Sequence, residues 1–354
     1  MRAPAREKEV ILKSGIRMLY RLLHPCYYSR IVYDIFKSFA FRLLRSGNRR
    51  IIEKVFIKGS MGKWAILLLL LAGCLTGLVV RIPEETGSIE AFFCDKTDCR
   101  QVFEEKTNST ASLSCAFYHA NDAFFEVLEA RNARLVVDEE HALPGAVKEF
   151  GSGLMHNKFC VINDEYVWTG SWNPAQEMTI PNNVVFVQSK TLAKAYQAEF
   201  DELYSKVFHK GDSAPGLVKL NGNLLEAYFC PEDDCKGHVL KVLDSAKSSI
   251  HFMAFSFTDD DIGDLLVEKK SRGVDVRGLF DPRKDKYSEY DKLKDVSKVV
   301  KVHHKVFIVD GNTVITGSYN PTKNGNEEND ENVMIIRDAD IAQLFEKEFA
   351  RLFD

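Results

Sequence analysis

Proline is sparse, at ten in 354 residues, and glycine stops at 21, which excludes a collagen-like repeat and a low-complexity disordered chain. Basic charge is scarce after residue 63: positions 64–354 carry 32 Lys and Arg against 47 Asp and Glu, a net of −15. A body of that sign repels a polyanion overall, so any contact with nucleic acid has to rest on a local basic strip and be salt-sensitive. Acidic charge is scarce at the other end, where residues 1–63 hold four acidic against 15 basic side chains, a net of +11. Long apolar runs are missing with one exception, the 17 uncharged residues 64–80.

That exception, Trp64 to Val80, reads as one N-terminal transmembrane helix, near the short limit for spanning a bilayer and too uniformly apolar for a core helix. Its basic flank precedes it and Glu84-Glu85 follow. By the positive-inside rule the N-terminus stays cytoplasmic and the rest lies outside, giving a single-pass membrane protein with an extracytoplasmic body. Two variants compete. Met61-Gly62-Lys63 opens a signal-peptide-like segment, with Met61 as an alternative start, and Leu71-Ala72-Gly73-Cys74 resembles a lipobox with Cys74 lipidated. Residues 1–60 are then either an extension upstream of the true start or a basic helix lying on anionic lipid.

The rest of the chain writes one phrase twice. His156-Asn157-Lys158 is followed by Gly170-Ser171-Trp172-Asn173, and His303-His304-Lys305 by Gly317-Ser318-Tyr319-Asn320. The His-to-Gly spacing is 14 residues in both copies. The repeat extends outward: Glu90-Ala91-Phe92-Phe93-Cys94 is answered by Glu226-Ala227-Tyr228-Phe229-Cys230, and Cys115-Ala116-Phe117-Tyr118 by Met253-Ala254-Phe255-Ser256. Helical spacing and a further β-like run follow in each half, so the chain reads as a duplicated α/β unit. The small and turn-forming residues 211–216 divide a first repeat at 88–211 from a second at 217–354.

On a strand, residues two apart share a face, so His303 and Lys305 point one way and His304 the other; the same holds for His156 and Lys158. Returning strands would bring Ser318 and Asn320, and Ser171 and Asn173, alongside the histidines. Of the eight cysteines, Cys94/Cys99 and Cys230/Cys235 form matched CxxxxC pairs. Outside the cytosol a local disulfide in each half is the leading reading, ahead of plain thiols or a four-Cys zinc site. Cys115 and Cys160 sit on apolar runs and read as small core residues. Trp168 and Trp172 read as core, and His119, His209, His238 and His251 as ordinary residues. Asn108-Ser109-Thr110 fits a glycosylation acceptor, a pattern common by chance.

The spaced phrase resembles the signature of the phospholipase D superfamily. His303, Lys305, Asp310, Gly317, Ser318 and Asn320 match it throughout. The first copy carries Asn163 where the family has the supporting Asp, which puts local stability in question. The resemblance spans about residues 88 to 354 and implies two pseudo-symmetric α/β/α repeats sharing one active site. It also implies a Glu hydrogen-bonded to the catalytic His; Glu331 supplies it after the second motif, while Asn182 stands at the equivalent place after the first.

The chemistry expected of this set is metal-independent phosphodiester hydrolysis through a phosphohistidine, with no cofactor and no metal. One histidine attacks phosphorus while the other protonates the leaving oxygen. Lys158, Lys305, Asn173 and Asn320 hold the non-bridging oxygens, with Ser171, Ser318 and Asp310 supporting. A carboxylate on His303 would make that residue the resting acid and leave His156 as nucleophile. Three substrate readings stand: an endonuclease-like enzyme, favoured by short halves without lid-like insertions; a phospholipase D on phospholipid head groups, favoured by the membrane tether; and a non-catalytic membrane module. One chain supplies both halves, so a monomer suffices to build the site.

Overall fold

The structure, a computed structural model, describes residues 82–354 apart from 139, 141–142, 176–179 and 284–286. The basic segment 1–63 and the expected membrane run 64–80 lie outside the described residues. Among the described residues no helix is long and apolar enough to cross a membrane.

Two sheets carry the duplication. The first-half strands β2 (Ile89–Phe93), β3 (Leu113–Phe117), β4 (Arg134–Val137), β5 (Val147–Lys148), β6 (Lys158–Ile162), β7 (Tyr166–Gly170) and β8 (Asn183–Gln188) lie in the order β2-β8-β7-β6-β3-β4-β5. The second half supplies β9 (Gly216–Leu220), β10 (Asn223–Cys230), β11 (Ser249–Ala254), β12 (Asp275–Phe280), β13 (Ser297–Val299), β14 (Lys305–Val309), β15 (Thr313–Gly317) and β16 (Glu331–Ile336). With β1 (Glu84–Glu85) they run β1-β9-β10-β16-β15-β14-β11-β12-β13. Without the edge pair β1 and β9, the two orders are the same.

Helices complete the layers. α1 (Cys99–Lys106) and α2 (Asp122–Glu129) start at Asp98 and Asn121, whose side chains accept from the first-turn N–H groups. They cover the outer face of the first sheet through Phe103, Phe124 and Leu128. α3 (Lys190–Tyr204) lies between the sheets; α4 (Cys235–Asp244) and α5 (Asp260–Ser271) cover the outer face of the second. After the short α6 (Tyr290–Leu293) and α7 (Lys323–Glu327), α8 (Ala339–Phe353) returns to the middle. The strand alternation decides each facing: Val306 and Ile308 of β14 enter the central core, while Phe307 and Val309 enter the outer one. In β6, Phe159 and Val161 go inward and Cys160 and Ile162 outward.

That alternation corrects two expectations. Cys115 and Cys160 are disulfide-bonded, in addition to the expected Cys94–Cys99 and Cys230–Cys235 bridges. They are directly opposed partners on antiparallel β3 and β6, with Cα atoms 4.1 Å apart, so the pairing brings the two sulfurs together. The repeat alignment near them also shifts by one residue. Phe117 faces Lys158 whereas Ala254 faces Lys305, so Tyr118 is equivalent to Phe255, not to Ser256. A one-residue slip moves side chains to the opposite face, which hid the match. In the corrected register Phe252 and Phe307 stand where the first half has Cys115 and Cys160, their rings 6.0 Å apart.

Asn163 turns out to do much of the work of Asp310. Its Oδ1 accepts from the backbone N–H of Ala111 (2.8 Å) and Ser112 (3.2 Å). Asp310 accepts from Lys247, Ser248 and Ser249 at the matching place. Both sit at left-handed turn positions, φ 55° and 52°, which Asn and Asp tolerate.

Buried Glu199 of α3 faces a less comfortable setting. Burial and the nearby Glu232, Asp330 and Glu202 push its carboxyl well above the usual range, and Glu232 is raised to about 7. A carboxyl raised on folding keeps its proton longer than in the unfolded chain, so stability falls as pH climbs from about 4.5 to about 7. Glu232→Gln is expected to flatten this fall and raise the melting temperature at pH 8, measured by thermal unfolding across that window.

Candidate active site

Residues 82–354 form one compact unit, and the two copies of the phrase meet within it. The meeting is made by backbone exchange. The His156 N–H donates to the carbonyl of Asp330 (2.9 Å), and the His303 N–H donates to the carbonyl of Pro181 (2.9 Å). Each histidine is therefore anchored on the segment entering the last strand of the opposite repeat.

This crossing overturns the expected partner of Glu331. Its Oε2 lies 2.8 Å from His156 Nδ1 and accepts from Ser318 Oγ at 2.6 Å. His303 instead turns Nδ1 to Asn182 Oδ1 (2.8 Å) and to the carbonyl of Ser171 (3.0 Å). Both histidines thus present Nδ1–H to acceptors and keep Nε2 for chemistry, but only His156 has a carboxylate behind it.

The remaining residues fall into matched places. Lys158 Nζ donates to the His156 carbonyl at 2.7 Å and Lys305 Nζ to the His303 carbonyl at 2.9 Å. Ser171 Oγ accepts from Asn183 N, and Ser318 Oγ from Asn332 N. Asn173 and Asn320 are buried at the same strand ends, and Asn320 Oδ1 has no hydrogen-bond partner. Asp310 lies apart, at the far turn described above. His304 faces away from the site, buried beside Phe93, and burial holds it neutral with its pKa lowered to about 3. Trp168 and Trp172 are buried in the outer aromatic cluster of the first half.

Sequence reasoning missed the walls. The Tyr118 ring lies 4.9 Å from His156 and 5.3 Å from Lys158 Nζ; the Phe255 ring lies 4.4 Å from His303 and 4.9 Å from Lys305 Nζ. The slipped alignment concealed that these two aromatics correspond. It also missed the buried amides that bolt the halves together: Asn183 Nδ2 donates to Thr316 Oγ1 (2.7 Å), and Asn332 Nδ2 to Thr169 Oγ1 (2.8 Å). His209, read as ordinary, holds Glu149 at 2.8 Å, and its N–H bonds the Asp330 carboxylate directly before Glu331.

Four basic groups gather around Glu331 out of water, with buried Asp138 acting on Lys158 and buried Asp281 on Lys305, and their proton affinities show the crowding. Burial, then Lys158 and Lys305, lowers His156 to about 4 against the opposing pull of Glu331. Burial lowers Lys158 to about 7. Lys305 and His303 are held well below their usual ranges, by burial first and by the neighbouring cations next. An arriving anion supplies the charge that burial withholds, so the site is built to take up a phosphate and protons together.

The sequence profile described as "Cardiolipin synthase, PLD-like domain" matches residues 107–204 and 239–353, more than half of the chain. The chain belongs to the phospholipase D superfamily. With that membership it is a phosphodiesterase-type hydrolase. It is 34% identical over 138 residues to "Phospholipase D" of Rickettsia conorii, covering 36% of this chain and 69% of the relative. It is 28% identical over 195 residues to "Mitochondrial cardiolipin hydrolase" of Chlamydomonas reinhardtii, covering 45% and 86%. The solved phosphatidylserine synthase of Haemophilus influenzae shares the fold across 73% of this chain and 85% of its own, at TM-score 0.56 and 10% identity.

In this phospholipase D relative the glycines before the serines are set by close approach. Gly317 has φ +143°, and an added Cβ would stand 2.2 Å from the Asn332 carbonyl oxygen. Gly317→Ala is expected to cost about 2–4 kcal/mol and to disturb Ser318 and Glu331 together. Chemical denaturation and kcat on the same preparation check this; an unshifted midpoint would contradict it.

Proposed function

We propose that the protein hydrolyses phosphodiesters without a metal, through a phosphohistidine on His156, with nucleic acid as the substrate. The observation that carries the mechanism is the crossed pairing of the histidines with Glu331 and Asn182. Glu331 fixes the tautomer of His156 and balances the positive charge that develops when Nε2 attacks phosphorus. His303, backed only by the neutral oxygens of Asn182 and Ser171, holds a proton less firmly and so releases it more readily. The earlier ground for this assignment, a carboxylate on His303, falls, and the same roles now rest on the opposite pairing.

His156 Nε2 forms the N–P bond as the P–O bond to the leaving alcohol breaks and His303 delivers its proton to that oxygen. Water next attacks phosphorus as His303 takes one of its protons, and the N–P bond breaks to free the phosphomonoester. Lys158, Lys305, Asn173 and Asn320 hold the non-bridging oxygens, and Ser171 and Ser318 keep the orienting groups in place. Two lysines among the site's groups disfavour a divalent cation there, which supports a metal-free reaction.

The connections from Ser171 to Asn182 and from Ser318 to Asp330 are only 12 and 13 residues long in the sequence, too short for a large inserted lid, which favours an extended strand over a lipid held in a deep tunnel. A second reading, a phospholipid substrate, is favoured by the printed names of the relatives, phospholipase D and cardiolipin hydrolase. Membrane attachment through residues 64–80, with the enzyme outside the cytoplasm and active as a monomer, completes the proposal. The full chain in detergent with EDTA, assayed on single-stranded DNA and on phospholipid micelles, tests it. Turnover of DNA supports the reading, turnover of lipid alone transfers the mechanism to the second, and loss of all turnover on chelation contradicts the metal-free reaction.

A further inference from the structure

The two walls of the site carry opposite charge at equivalent positions. Asp138 accepts from Met155 N (3.1 Å) and from Glu140 N (3.0 Å); Asp281 accepts from Val302 N (3.1 Å) and from Arg283 N (2.9 Å). Met155 and Val302 directly precede His156 and His303, so Glu140 and Arg283 occupy the same place in the two repeats. The Glu140 carboxylate stands 3.4 Å from the Tyr118 hydroxyl, beside the ring that flanks His156. The Arg283 guanidinium lies 4.5 Å above the Phe255 ring that flanks His303, steered by Asp281 at 2.8 Å, with its side chain 54% exposed. A near-symmetric pocket therefore has an acidic side and a basic side.

Which side meets which part of the substrate follows from the geometry of displacement. Attack and departure are in line, so with His156 as nucleophile the leaving oxygen emerges toward His303. The departing alcohol then lies against Phe255 and Arg283. We propose that Arg283 is a specificity-determining residue that binds a second phosphate on the leaving group, the next phosphate of the nucleic-acid strand. A planar guanidinium, always charged, matches a phosphate in a way that Glu140 on the other wall opposes. A strand is thus engaged on one side of the scissile phosphate. This inference rests on the phosphohistidine reading above and deepens it by giving the substrate a direction.

The test uses the full-length protein in detergent and dinucleotides that differ by one terminal phosphate: TpT, pTpT and TpTp. Product analysis tells which nucleoside is released. The substrate whose extra phosphate lies on the released nucleoside should show kcat/KM raised about tenfold over TpT, the size of one charge-assisted contact, and the other should not. In Arg283→Gln this preference should fall toward unity, while Arg283→Lys should keep part of it. Equal gains from both phosphates, or a preference unchanged in Arg283→Gln, overturns the inference, as does an equal loss of rate on all three substrates in that variant. A parallel arm compares cardiolipin with phosphatidylglycerol in mixed micelles. An Arg283-dependent preference confined to cardiolipin keeps the second-phosphate subsite but overturns the nucleic-acid assignment. Wild-type turnover of no substrate contradicts the phosphodiesterase reading itself and this inference with it, whereas turnover without discrimination sinks this inference alone.

Discussion

His156→Ala lowers turnover by about 10⁴- to 10⁶-fold and leaves no phosphoenzyme, because it removes the nucleophile and not merely an orienting group. His303→Ala behaves differently if the roles are divided as proposed. With a leaving group that departs without help, such as p-nitrophenolate, the variant still forms the N–P bond but cannot activate water to break it. A burst of p-nitrophenol followed by stalled turnover is the expected record. Equal, complete loss of the burst in both variants would contradict the division of roles. The structure gives the reason for it: two rings with the same Nδ1 orientation, one backed by Glu331 and the other by Asn182.

Glu331→Gln is the second large effect, a fall of about 10²- to 10⁴-fold in kcat/KM, in the range seen when a carboxylate behind a catalytic histidine becomes an amide. Glu331 is fully buried and serves both His156 and Ser318, so the amide both loses the charge and competes with the Nδ1–H donor. The pH profile separates this from simple misfolding. His156 must be neutral to attack, and its proton affinity is lowered to about 4 with Glu331 pulling it upward. The rate therefore rises as pH passes through that value, and without the carboxylate this limb moves to lower pH. A limb that moves upward, or one that stays in place, would show that Glu331 does not govern His156.

The pairing that decides these outcomes could not be read along the chain. Spacing alone placed His156, Lys158, His303 and Lys305, because period-two facing on a strand and a fixed return of 14 residues are local properties. Glu331 follows its own motif so closely that a partner within the same repeat was the natural choice. The actual partner is set by a contact between repeats, the bridge of Met155 to Asp330, and no local pattern encodes it. The Cys115–Cys160 bond was hidden for a related reason. Its two residues lie 45 apart on apolar runs, and only the register of β3 with β6 brings them opposite. Tyr118 and Phe255, and with them Glu140 and Arg283, escaped through a one-residue misalignment of the repeats. By contrast, the matched CxxxxC pairs were legible because each closes within a single strand-to-helix turn.

The crossed arrangement also ties the disulfides to the chemistry. Cys230 is the strand partner of Glu331, and the Cys94 N–H donates to the Asn182 carbonyl at 2.9 Å. Each local bridge thus lies on the chain segment hydrogen-bonded to the one that carries the group orienting the opposite histidine, a link from covalent framework to site geometry.

The central claim is that one histidine, His156, carries the phosphoryl group. Rapid quench of the wild-type enzyme with a phosphodiester radiolabelled at phosphorus, followed by peptide mapping under alkaline conditions that preserve phosphohistidine, tests it most directly. The account predicts acid-labile label confined to the peptide containing His156. Label on the peptide containing His303, or no covalent label during turnover, would contradict it.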